Sequence, residues 1–391
     1  MWYNRPMQNV THSTSEHDTA RQWAVLVAIG LCLFLGSLDG SIVNVALPTL
    51  MQDFGADFPA VQWVVLSYLL GLTVLMVSMG RLADLIGKKR VFSVGILLFL
   101  LGSMLCGMAP SIQWLIAFRF LQSFGAAMML ALGTAILTEV WPPYKRGQVI
   151  GTAAGFISLG IVIGPAIGGV MLQYLSWHWI FFVNVPIGAV AYLLVMLHVP
   201  PLRPAGKRES FDIAGALALG LGLLCLTLGI TWGQDAGFTT ASVLLLFGAA
   251  IFLLALFIWL QARVRYPMLD LSLFRTPQFS LNLFTGTLAF IAISGVVLLL
   301  PFYLTFVLQL PLLQVGLYMA VVPAVMTVLQ PLSGVLSDRW GTHPVSSIVL
   351  LFIVLGYLLM TTLPVSGSPL GFVFRFLPIP IGMSLFNSPN N

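Results

Sequence analysis

Gly80-Arg81-Leu82-Ala83-Asp84-Leu85-Ile86-Gly87 returns later in the chain as Gly334-Val335-Leu336-Ser337-Asp338-Arg339-Trp340-Gly341, an offset of 254 residues. Phe118-Arg119-Phe120-Leu121 returns as Phe374-Arg375-Phe376-Leu377, an offset of 256. Two elements recurring in one order at nearly one separation indicate duplicated halves. The surrounding sequence is almost without charge. No Asp, Glu, Lys or Arg lies between Arg146 and Arg203, or between Arg275 and Asp338. Each window holds two bilayer-crossing helices of roughly 20 residues and a connection.

Composition agrees. Hydrophobic residues make up 59% of the 391 and charged residues 7%, against about 25% charged in a soluble domain. The apolar runs do not alternate with polar residues as barrel strands do, so the chain reads as an all-α integral membrane protein. Helices are expected at about 22–47, 60–80, 91–109, 112–138, 148–173, 179–199, 213–233, 242–262, 279–306, 314–334, 345–364 and 370–391. Of the seventeen lysines and arginines, fifteen then fall on one side, Arg119 and Arg375 lie within spans, and none lies on the other side. The positive-inside rule puts the basic side and the N-terminus in the cytoplasm, with the chain multi-pass in the inner or plasma membrane.

The organisation follows. Residues 1–21 are polar and read as a disordered cytoplasmic tail, and 22–199 as a six-helix N-terminal half. Residues 200–278 hold cytoplasmic linkers and two inserted helices. Residues 279–391 form a partial second half of about four helices. If the halves match, two helices, about 50–60 residues, are missing from the second. The net charge of +5 is spread over short loops rather than gathered into a nucleic-acid patch; membrane lipids are the expected surface partner. Cys32, Cys106 and Cys225 read as small buried hydrophobes without a disulfide or metal pattern. No phosphate loop, paired carboxylate or metal cluster suggests an enzyme, a metal or a cofactor.

The chemistry concentrates in a few positions. Asp39 is the only acid well inside a span. An ionisable group there costs about 3 kcal/mol to insert, so it faces protein or water. Counted at 1.5 Å per residue, Asp39 and Arg119 both lie about 10–12 Å below the outer surface, which allows them to pair. The loop with Gly80, Asp84, Gly87, Lys88, Lys89 and Arg90 reads as a conformational latch, with Gly334, Asp338, Gly341 and Arg375 as second-half counterparts of the two repeated elements. A merely positive loop explains its bases but not its recurrence. Gly160, Gly164, Gly168 and Gly169, with Pro165, allow close helix packing and a bend. Asn44, Tyr68, Gln122 and Asn184 are candidate cavity residues, as are Thr134, Asn282 and Gln330; each alone is also an ordinary interhelical hydrogen bonder. His178, between Trp177 and Trp179, reads as an interface residue.

These residues resemble the major facilitator superfamily, specifically its fourteen-helix drug:proton antiporter branch. Leu38-Asp39-Gly40-Ser41-Ile42-Val43-Asn44-Val45-Ala46-Leu47-Pro48 is similar to that branch's first-helix motif, Gly80–Arg90 to the superfamily loop, and Arg119–Gly125 to the fourth-helix motif. Gly160–Gly169 resembles the fifth-helix antiporter motif; Trp177–Gly188 and Pro267–Phe274 also match the branch. Leu85, Ser123 and His178 depart from it, and Thr342 and His343 replace the basic residues after the second loop. The resemblance implies two pseudo-symmetric six-helix halves plus two inserted helices, about 12 helices being present here. It implies a proton-coupled exporter of drugs or other amphipathic compounds, with Asp39 and Arg119 in coupling and a site between the halves. Small-molecule substrate and protons are the implied partners, for a monomer or a member of an efflux complex. A dedicated exporter of one metabolite or siderophore, or a non-transporting remnant, are the alternatives.

Overall fold

The structure is a computed structural model that describes residues 16–201, 212–264, 267, 269, 271–340, 342–362 and 369–390. The described elements are helices. α1 spans Glu16–Asp53, α2 Phe58–Ile86, α3 Lys88–Gly107, α4 Ile112–Val140 and α5 Arg146–Tyr174. α6 spans Trp179–Phe182, α7 Asn184–His198, α8 Ile213–Ala236, α9 Ala241–Arg263 and α10 Pro277–Phe302. α11 spans Leu312–Trp340, α12 Thr342–Met360, α13 Pro369–Phe376 and α14 Pro378–Asn390. Ten helical stretches among the described residues are long and apolar enough to cross a membrane. This is an all-α membrane protein.

The twelve expected spans are present, but two are broken in two. Val183 separates α6 from α7, and Leu377 separates α13 from α14. A proline follows each break, Pro186 and Pro378, and a proline ring deprives the carbonyl four residues earlier of its helical partner. The first helix also corrects the expected tail. It begins at Glu16 rather than near residue 22, and it continues past Pro48 to Asp53. The expected loop over 80–90 contracts to a single residue, since α2 ends at Ile86 and α3 begins at Lys88. Gly87 makes that turn at φ 100°, a conformation that costs a residue with a Cβ but not glycine.

α8 and α9 pack on each other, and α8 leans on α2. Their shared end is tied by Asp212, which caps α8 through Gly215 N at 2.8 Å and accepts from Gln261 Nε2 at 2.7 Å. The first half, α1–α7, meets the second chiefly where α5 crosses α11. One end of the bundle gathers Lys88, Lys89, Lys145 and Arg146 and is called here the basic end. The core has two parts. Toward the opposite end, a single cluster joins Ile42, Leu50, Val64 and Phe181 of the first half to Leu300, Val315, Met319 and Phe372 of the second. Toward the basic end, the described core comes from the first half alone, with Leu26, Ile29, Phe92, Ile136, Ala153 and Val195. The halves are knit together at one end only, among the described residues.

Candidate functional site

α1 runs through the middle of the first half. It packs against α5, α7, α4 and α2, and Asp39 is turned into these helices. Asp39 is 0% exposed and Arg119, on α4, is 1% exposed. Their ion pair closes at 2.5 Å between Asp39 Oδ2 and Arg119 Nη1. Oδ1 accepts from Gln122 Nε2 at 2.9 Å and from Asn184 Nδ2 at 2.8 Å. Ser103 Oγ on α3 accepts from the same two amides, at 2.7 and 3.2 Å. The network therefore draws on α1, α3, α4 and α7. α2 completes it: Arg119 Nε donates to Val64 O at 3.2 Å, and the guanidinium lies 4.1 Å from the Tyr68 ring centre.

That arrangement has a chemical consequence. Two desolvated charges cancel, and removing either one from such a pair costs about 3–5 kcal/mol because the other is left uncompensated. Arg119 nevertheless has neutral acceptors besides Asp39. Nη1 also donates to Gln122 Oε1 at 2.7 Å, Val64 O takes Nε, and the Tyr68 face offers a cation–π contact. The guanidinium therefore has contacts that do not depend on the carboxylate.

The glycines of α5 serve two neighbours. Gly160, Gly164 and Gly168 face α1 at Phe34–Leu38, Ser41 and Ile42. Ser41 Oγ donates to Gly160 O at 3.1 Å. Gly169 faces the other way, onto α11. A Cβ there would stand 2.7 Å from Leu312 O and 3.0 Å from the Gly316 Cα. This glycine-on-glycine crossing joins the halves at the end opposite the bases. Gly316 is a partner that the sequence reading did not single out.

At the basic end the cations close helix termini. Lys89 Nζ donates to Met196 O at 3.0 Å and Val199 O at 2.6 Å, where α7 runs out of partners. Arg21 Nε adds His198 O at 3.2 Å, and Arg146 Nε takes Thr138 O of α4 at 2.9 Å. Lys88 pairs with Glu139 at 2.6 Å. Cations at helix C-termini stabilise the exposed carbonyls and the dipole. Arg90 is exposed, Asp84 half-buried, and Gly80 has open space where a Cβ would go. Of the second-half counterparts, Gly334 and Asp338 lie on α11, with nothing described of their side chains, and Gly341 lies outside the described residues. Arg375 is half-buried on α13 and donates to Thr362 Oγ1 at 3.3 Å and Gly371 O at 3.0 Å. It faces no carboxylate among the described residues.

Between the halves lies a cavity of about 490 Å³, whose wall includes Ser41, Asn44, Gln62, Pro165, Ser294 and Met319. That size suits a small organic molecule. Asn44 lines it as expected. Tyr68, Gln122 and Asn184 do not: they turn into the Asp39 network and are buried. Helices hydrophobic all round give no sign of which face meets the cavity. Thr134 and Asn282 are not in the wall, and the side chain of Gln330 lies outside the described residues. His178 stacks on Trp177 at 3.8 Å and reaches Ser176 Oγ at 3.1 Å. Ser103 was missed, because a serine in an apolar span usually bonds its own helix. Cys106, read as a plain hydrophobe, has its Sγ 3.8 Å from Gln122 Oε1.

A helical membrane bundle in two unequal halves, with a buried ion pair beside a central cavity, is the architecture of a secondary transporter. The model of the Major Facilitator Superfamily matches residues 29–391, and the chain belongs to that family; it is a transporter and not an enzyme. It is similar to the riboflavin transporter RibZ of Clostridioides difficile, 32% identical over 95% of this chain and 80% of the relative. It is similar to the multidrug resistance protein Stp of Mycobacterium tuberculosis, 34% identical over 87% of this chain and 63% of the relative. Its fold matches the inward open conformation of the xylose transporter XylE from E. coli at a TM-score of 0.64, with 13% identity, covering 93% and 80% of the two chains.

Proposed function

We propose that this protein exports amphipathic organic compounds in exchange for protons, by alternating access, with its basic end in the cytoplasm. The observation that carries the reading is the placement of two functions on adjacent faces of α1. Asp39 turns into the sealed network of the first half, while Ser41 and Asn44 stand in the cavity wall. Movement of α1 against α5, across glycines that allow sliding contact, then links cavity occupancy to the carboxylate. A proton reaching Asp39 cancels its charge, and Gln122, Val64 and Tyr68 keep Arg119 in place. The Gly169–Gly316 crossing closes the outer end in this state; the Gly87 turn with Lys88 and Lys89 is the latch of the inner end. Each charge moved across the potential contributes about 2.3 kcal/mol per 100 mV, sufficient for modest accumulation.

The test is transport of ethidium in proteoliposomes under an imposed pH gradient. The Asp39→Asn protein inserts normally and loses the pH-dependent component. Undiminished pH-driven transport by that variant removes Asp39 from the mechanism. A second reading, export of a single metabolite, draws support from the relative named a riboflavin transporter. Mutual inhibition by structurally unrelated dyes argues for the broader specificity, and inhibition by riboflavin alone for the narrower one.

A further inference from the structure

We propose that the cavity selects compounds bearing N–H donors, through four backbone carbonyls that prolines leave unpaired in its wall. A proline inside a helix removes the N–H that would bond the carbonyl four residues earlier. Each of the helices α1, α5, α10 and α11 has such a proline: Pro48, Pro165, Pro301 and Pro323. Four residues earlier stand Asn44, Ile161, Val297 and Met319, and all four line the cavity. Pro165 and Pro323 line it themselves. A further proline in α11, Pro331, frees the carbonyl of Thr327, which is not in the wall. Of the four wall side chains that can donate, two are committed elsewhere: Ser41 Oγ to the Leu38 and Gly160 carbonyls, and Asn44 Nδ2 to the Gly40 carbonyl; Gln62 and Ser294 are the other two.

Within a membrane a carbonyl without a helical partner takes one from a neighbour, a side chain or water. Around this cavity the partner is water or the bound compound. The wall contains no Lys, Arg, Asp or Glu, so its polarity comes from the carbonyl dipoles and from the neutral Ser41, Asn44, Gln62 and Ser294; the carbonyl dipoles favour a positive group that donates hydrogen bonds. The side chains describe a mostly apolar pocket with four neutral polar groups; the freed carbonyls add acceptors to it. The inference rests on the export reading only for calling the bound compound a substrate.

The experiment compares decylammonium with decyltrimethylammonium, equal in charge and chain but differing in N–H donors. Binding to the full chain in lipid nanodiscs is measured by calorimetry without any ion gradient, so a failure of proton coupling does not affect it. The expected result is decylammonium bound about 10-fold more tightly, two hydrogen bonds at roughly 1 kcal/mol each being sufficient for that. Pro165→Ala and Pro323→Ala, which restore the missing N–H, lower the ratio of decylammonium to decyltrimethylammonium affinity by about fivefold each. Pro331→Ala leaves the ratio unchanged. Equal affinity for the two probes, or equal losses of both in the Pro165 and Pro323 variants, overturns the proposal; the latter marks the prolines as bends only.

Discussion

Arg119 and Arg375 stand at the same place in the two repeats and have opposite surroundings. Arg119 is sealed inside the first half against a carboxylate, one side-chain amide, a backbone carbonyl and an aromatic face. Arg375 is half-buried and bonds a hydroxyl and the carbonyl of its own helix. The repeat offset carries Asp39 onto Ile293, Ser294 and Gly295, none of them acidic, and Gln122 onto Pro378. Duplication has kept the helical frame and the arginine but not the titratable partner. The first half holds the buried ion pair; both halves supply cavity wall, and the second adds the α11 surface against which Gly169 packs.

That contrast can be broken in order of expected effect. Arg119→Ala strands a buried carboxylate and costs about 3–5 kcal/mol, whereas Arg375→Ala costs less than about 1 kcal/mol, as for an exposed partner. Thermal unfolding in nanodiscs compares the two, and equal losses would erase the asymmetry. Next, Asn184→Leu or Gln122→Leu deprives Asp39 Oδ1 of a donor at about 1–3 kcal/mol, read in the same assay. Gly169→Leu meets backbone at Leu312 and Gly316, which cannot step aside as a side chain does. Spin labels on Gln52 and Pro311 are then expected to move apart, while Gly151→Leu, with open space around it, leaves their distance unchanged. The smallest effect belongs to Lys89→Ala, about 0.3–1 kcal/mol from an opened α7 terminus.

Much of this was legible in the chain, for a physical reason. A lone charge in an apolar span is conspicuous, and the constant rise of a helix converts sequence position into depth, so Asp39 and Arg119 are paired by counting. The helix count follows from hydropathy. The facing of Tyr68, Gln122 and Asn184 was not legible, since a helix that is apolar all round carries no amphipathic stripe to orient it. Ser103 and Gly316 were hidden for a related reason: small residues look alike whether they pack against lipid, a neighbour or a buried amide. The breaks at Val183 and Leu377 had a visible signal in Pro186 and Pro378, outweighed by the continuous apolar run around them.

The central claim is that only the first half exchanges a proton with the cavity's occupant. Proton release can be counted in weakly buffered solution when ethidium is added to the purified protein. The account predicts release by the wild type and by Arg375→Ala, and none by Asp39→Asn. Release that survives in Asp39→Asn but disappears in Arg375→Ala would place the titrating site in the other half and contradict it.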